Sequence, residues 1–125
     1  MVDISMTDTK ELVKKWFTLW EDGNFEDLPL EDNFNHISPY GTINTKKAYL
    51  KMVEANRSAF LGGKFIIHDE VYDAKKACVR YTMQKDSFEM EVSEWIYIGI
   101  EKIKEIVSYY NVGNVSYEKN LTKPD

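Results

Sequence analysis

An α+β domain is the fold class this sequence predicts, and three observations lead there. In the first half, two stretches (residues 12–20 and 48–60) carry apolar residues at helical spacing. From Phe65 onward the chain turns to runs rich in Val, Ile, Phe and Tyr that alternate with polar residues, as strands do. Between the two helical stretches, Phe34-Asn35-His36-Ile37-Ser38-Pro39-Tyr40-Gly41 reads as a short strand ended by a forced change of direction. Helices first and strands afterwards is an α+β order.

Length and charge set the bounds. The 125 residues predict one domain over 1–125, with its core at about 8–112 and a polar tail at 116–125. Basic residues number 16 and acidic residues 21, for a net charge of −5. The basic residues are scattered, so the chain lacks the footprint of a nucleic-acid binder, and its acidity argues against anionic membranes. Small neutral or cationic ligands fit this balance. A single cysteine, Cys78, excludes an intramolecular disulfide. No His, Asp or Glu cluster shows metal-ligand spacing, so neither a metal nor another cofactor is expected. The opening Met1-Val2-Asp3-Ile4-Ser5-Met6 has no basic or apolar leader pattern, and no run approaches the ~18 apolar residues of a membrane span. The expected location is the cytoplasm.

Asp8-Thr9-Lys10-Glu11 has the form of a capping box, with Asp in the usual Ser or Thr position. Leu12, Val13, Trp16, Phe17, Leu19 and Trp20 follow as one wide apolar face, and Gly23 is the expected left-handed cap. Residues 24–28 predict one helical turn before Pro29, and Glu31-Asp32-Asn33 a loop into the short strand. On that strand Phe34, His36 and Ser38 share one face, with Asn35 and Ile37 on the other. Asn44 or Thr45 caps a second long helix reaching about residue 60, with Asn56 at the edge of its apolar stripe. Four strands follow at 65–73, 77–83, 88–98 and 103–112.

The third of these strands says most. Phe88, Met90, Val92, Ile96 and Ile98 form an apolar face that Glu94 interrupts. A buried carboxylate must find a partner, reach water or take up a proton. A two-residue turn at 85–86 or at 86–87 conserves parity, placing Val79 and Tyr81 on the Glu94 face. Cys78, Arg80 and Thr82 then lie opposite, with Ser93 and Trp95.

This order of elements resembles the nuclear transport factor 2-like superfamily, in particular its SnoaL-like and ketosteroid-isomerase-like members. The resemblance covers about residues 8–112. Its carriers are Trp16-Phe17-Thr18-Leu19-Trp20-Glu21-Asp22-Gly23-Asn24, Ile37-Ser38-Pro39-Tyr40-Gly41 and the closing strands. It implies a cystatin-like α+β roll: a curved mixed sheet wrapped around N-terminal helices, enclosing a cone-shaped pocket. It also implies frequent homodimers, and acids, bases or tyrosines on inward strand positions. The isomerases' oxyanion tyrosine resembles Trp16 in position, their catalytic aspartate Ser38, and their protonated aspartate Glu94. With base and principal oxyanion donor both replaced, ketosteroid isomerisation is not expected.

His36 and Glu94 both face the cone in this reading, and a hydrogen bond between them would orient the imidazole and raise its basicity. Tyr81 would supply a phenolic donor to a developing oxyanion. These three are the catalytic candidates, against the plainer alternative of a satisfied core histidine and a glutamate in water at the mouth. The candidates for contacting substrate are Trp16, Trp20, Phe34, Ser38, Tyr40, Met52, Asn56, Val79, Val92 and Tyr110. His68 is expected to be exposed, and Cys78 to be a small buried residue off the pocket face. Arg80, Trp95 and Tyr97 on the outer sheet face suit a homodimer interface, where aromatics and Arg are enriched. Two function classes follow. One is general acid/base chemistry of isomerase, dehydratase or cyclase type on an apolar small molecule. The other is a non-catalytic ligand-binding or interaction domain, since one fold hosts both.

Overall fold

The apolar stripe of the first stretch winds into α1 (Met6–Asp22), with Val13, Trp16, Phe17 and Trp20 all buried. The computed structural model describes residues 6–113, 117–119 and 121. The helix starts two residues before the expected cap, so Asp8 stands in its first turn, where negative charge complements the helix dipole. Gly23 ends it with a φ of 79°, the left-handed conformation that costs glycine least. A 3₁₀ turn at Phe25–Asp27 follows.

Strand β1 (Leu30–Ser38) begins four residues before Phe34, so Glu31-Asp32-Asn33 is strand rather than loop. Its pairing shifts register between Leu30 and Asn35, and this irregularity hides the strand period in the sequence. Glu31 accepts a hydrogen bond from the Ile100 amide at 3.0 Å, and its carboxylate occupies the space a Cβ on Gly99 would need. A second strand, β2 (Gly41–Asn44), was not anticipated: four residues are too few to show a period. It folds back on β1 around Pro39-Tyr40, with Ser38 opposite Gly41.

The single long helix expected next is two. Thr45 caps α2 (Lys46–Ala55), its hydroxyl accepting from the Ala48 amide at 3.1 Å. Asn56, at φ −125°, breaks the run and starts α3 (Arg57–Phe60). Its side-chain amide donates to the Met52 carbonyl at 2.8 Å, a local bond that competes with continuing the helix. Asn56 is exposed, as its edge position predicted.

The remaining strands are β3 (Lys64–Tyr72), β4 (Lys76–Lys85), β5 (Phe88–Ile98) and β6 (Ile103–Tyr109), the last ending three residues earlier than expected. The β4–β5 turn is Asp86-Ser87, and Val79 and Tyr81 share the face of Glu94 as the parity argument required. The order β2-β1-β6-β5-β4-β3 makes one curved, open sheet, mixed because β1 runs parallel to β6. On its concave side α1 lies against β3 and β4, and α2 against β1 and β2. Of the expected polar tail, Tyr117–Lys119 form a 3₁₀ turn and Leu121 is exposed, and the rest lies outside the described residues. No helix among the described residues is long and apolar enough to cross a membrane.

Candidate functional site

Alternation along the strands decides what enters the cone. It turns His36 and Ser38 of β1, Tyr81 of β4, Glu94 of β5, and Ser108 of β6 inward, with Tyr110 just beyond β6. Trp16 and Trp20 of α1 with Tyr49 and Met52 of α2 close the other side. The cavity measures about 1220 Å³. It widens to a mouth bordered by Tyr40, Asn56, Lys85 and Glu89.

Glu94 is the most constrained group in it. Only 4% exposed, it lies opposite Val79 on one side and Ser108 on the other. Both hydroxyl partners meet the same oxygen: Ser108 donates to Oε2 at 2.7 Å and Tyr81 at 3.0 Å. Oε1 is buried with no hydrogen-bond partner among the described residues. Burial pushes the carboxyl pKa up, opposed by the Ser108 and Tyr81 hydroxyls and by the nearby Trp16 indole. Burial first, and the Glu94 charge second, hold the Tyr49 and Tyr81 phenols well above the ordinary tyrosine range. Both stay protonated donors at neutral pH.

His36 behaves differently. Its ring stacks on Tyr49, with centroids 5.1 Å apart and planes at 25°, and sits beside Phe34. Burial pulls its pKa down to about 4, so the imidazole is neutral near pH 7. The expected hydrogen bond between His36 and Glu94 does not form. The sheet explains why: β6 lies between β1 and β5, with Ile106 opposite His36 and Ser108 opposite Glu94. Two strand spacings and a two-residue offset would separate the Cα atoms by roughly 12 Å on a flat sheet. The residues border one cavity on different walls.

Of the expected substrate contacts, Trp16, Trp20, Ser38, Tyr40, Met52, Asn56 and Tyr110 border the cavity. Phe34, Val79 and Val92 do not. They face inward as parity requires but lie in the core behind it, fully covered by the helices and neighbouring rings. Tyr40 is 79% exposed at the rim, its ring 6.1 Å from Tyr110, so it is neither core nor deep pocket. Tyr49 and Ser108 were missed. Tyr49 is indistinguishable in sequence from its neighbours on the helical stripe. Ser108 required the β5–β6 register, which the irregular turn around Gly99 conceals.

The remaining polar groups stand apart. Cys78 faces outward and is only half-buried, not the buried residue expected, though burial still raises its thiol pKa. Arg80 pairs with Asp69 at 2.8 Å on the outer face. His68 is exposed and lies 2.6 Å from the Thr82 hydroxyl, which donates to Glu91. Among the described residues no group of three His, Cys, Asp or Glu side chains is arranged to hold a metal ion.

No protein-family model matches the chain, and no curated protein matches its sequence. Solved structures do match its shape. An NTF2-like protein of unknown function from Cytophaga hutchinsonii superposes with a TM-score of 0.71 at 18% identity, covering 82% of this chain and 89% of its own. A SnoaL-like protein of unknown function from Burkholderia thailandensis gives 0.72 at 14% identity, covering 89% of this chain and 100% of its own. A proposed SnoaL-like polyketide cyclase from a Jannaschia species gives 0.74 at 10% identity, covering 89% and 90%. Likeness at this identity establishes the fold.

Proposed function

With the nuclear transport factor 2-like fold as premise, we propose that this chain binds an apolar small molecule in its cone and exchanges a proton with it at Glu94. The observation that carries the reading is the divided environment of that carboxyl. Oε2 is taken by two hydroxyls, whereas Oε1 is buried and unpartnered among the described residues, on a side chain that borders the cavity. A proton on this group therefore belongs on Oε1, the oxygen with no donor, and its loss leaves an anion already hydrogen-bonded at Oε2. Tyr81 and Ser108 position Glu94, and neutral His36 offers a second nitrogen from the facing wall. This is acid/base chemistry of isomerase or lyase type.

The test is hydrogen exchange at carbon. Small cyclic ketones and imines incubated with the protein in D₂O should take up deuterium next to the C=O or C=N group, as proton NMR reads it. Uptake should fall about 100-fold in Glu94→Gln, the scale of one general acid or base. Equal uptake in both proteins would overturn the assignment of Glu94. Ligands that bind without exchange would favour the non-catalytic binding module, a reading supported by the weak basicity of His36.

A second copy of the chain on the outer sheet face is part of the proposal. Trp95 there is 38% exposed and Val71 69%, beside half-buried Tyr97 and the Arg80–Asp69 pair. Aromatic and apolar surface edged by a charge pair suits an interface between subunits.

A further inference from the structure

We propose that the pocket's ligand is a cationic amine, a ring-bearing apolar body whose ammonium group donates to Glu94 Oε1 against the aromatic wall of Trp16, Tyr49 and Tyr81. The inference rests on the reading that Glu94 is the proton-exchanging group, and it names the ligand class which that group takes.

Charge around the cavity is the first support. Glu94, Glu89 and Glu91 border it, and Lys85 is the one cation among the described lining residues. The Lys85 ammonium is itself tied to the backbone carbonyl of Ser58. Glu89 and Glu91 accept from Gln84 and Thr82 away from the interior, so Glu94 is the carboxylate that a ligand inside the cone meets, and a cation pairs with it where an anion is repelled.

The second support is the direction of the hydrogen bonds at Glu94. Two hydroxyls donating to Oε2 stabilise the anion rather than the neutral acid. Oε1 is left buried and accepting from no described residue, on a side chain that borders the cavity. An ammonium supplies a donor and the compensating charge together. A ketone or ether supplies neither. The π faces of the wall then attract the same positive charge.

The proton balance is definite. In the empty cone burial favours the protonated carboxyl. Below the folded pKa of Glu94 an ammonium ion docking on Oε1 displaces that proton to solvent and leaves a carboxylate–ammonium pair, and above it the pair forms without proton release. Amine affinity therefore rises with pH through the titration of Glu94. Tyr49, Tyr81 and Tyr110 border the same cavity, and the first two remain protonated throughout. Protonation of His36 near pH 4 would repel a cation and reinforce the trend. Lys85, Glu89 and Glu91 lie at the mouth.

Isothermal titration with naphthylmethylamine, naphthylmethanol and naphthoate tests this, at several pH values and in two buffers of different ionisation enthalpy. The amine should bind about tenfold tighter than the alcohol or better, as a charge-assisted hydrogen bond allows, release a proton below the folded pKa of Glu94, and weaken as pH falls. The alcohol should show no proton release, and naphthoate should not bind. Glu94→Gln should bring the amine down to the level of the alcohol. Amine binding no tighter than alcohol binding, or without proton release at any of these pH values, overturns the ligand class. If Glu94→Gln nevertheless weakens the alcohol, the Glu94 reading stands and only the amine falls. No change for either ligand in Glu94→Gln overturns both. The pH and proton-release measurements use the unmodified protein, so they decide the question even if the variant fails to fold.

Discussion

Burial acts oppositely on His36 and Glu94 in the cone, and stability must follow pH accordingly. The His36 imidazole takes a proton at its ordinary 6.5 when unfolded and only at about 4 when folded. Between those values the unfolded chain holds the extra proton, so acid favours unfolding. The contribution is complete above pH 6.5 and is lost toward pH 4, by at most about 3 kcal/mol and less where cavity water reaches the ring. Glu94 is raised instead, so its contribution is present below the ordinary carboxylate pKa and is lost as pH rises through the folded value. Urea unfolding across the acid range should show the His36 slope, and His36→Gln should remove it. An unchanged acid slope in that variant would show that the imidazole is not buried neutral. Tyr81 and Ser108 belong to the same scale, since each places one hydroxyl on one carboxylate oxygen.

Element boundaries in this chain are set by single residues. Thr45 has a φ of 77°, strained for a β-branched residue, yet its hydroxyl caps α2 and its amide donates to Phe34 on β1 at 2.7 Å. Removing the hydroxyl without relieving the strain should cost more than removing both. Thr45→Ala is expected to lose about 1 kcal/mol, whereas Thr45→Gly should stay within about 0.5 kcal/mol of the parent. Chemical denaturation that ranks Thr45→Ala at or above Thr45→Gly would refute this account of the cap. The cap was legible in sequence to within one residue, Asn44 or Thr45, and the first helix, the strand face of His36 and the β4–β5 parity were legible too. The break at Asn56 was not, because the apolar stripe continues across it. Nor was β2, which exists only because Pro39-Tyr40 turns a four-residue segment back onto β1.

At the scale of the whole molecule, the concave face of the sheet holds the helices and the cavity, and among the described residues the outer face leaves apolar side chains exposed. Val71 and Tyr109, 69% and 59% exposed, join Trp95 on that outer face. Sedimentation at micromolar concentration should report a dimer, and Trp95→Lys should shift it to monomer while the pocket ligand still binds. A monomeric parent protein would remove the dimer proposal.

The sequence by itself determined the α+β order, the inward faces of β4, of β5 and of β1 around His36, and the presence of an acid on an apolar face. Those features follow from local periodicity, which alternation and helical spacing write directly into the chain. Only the tertiary structure decided which groups meet. Strand order put β6 between His36 and Glu94, so the histidine stacks on Tyr49 while the acid takes Ser108 and Tyr81. Helix packing sealed Phe34, Val79 and Val92 behind the cavity and left Trp16 and Tyr49 on its surface. Pairings between distant segments depend on register and on what covers each face, and neither is a local property of the chain.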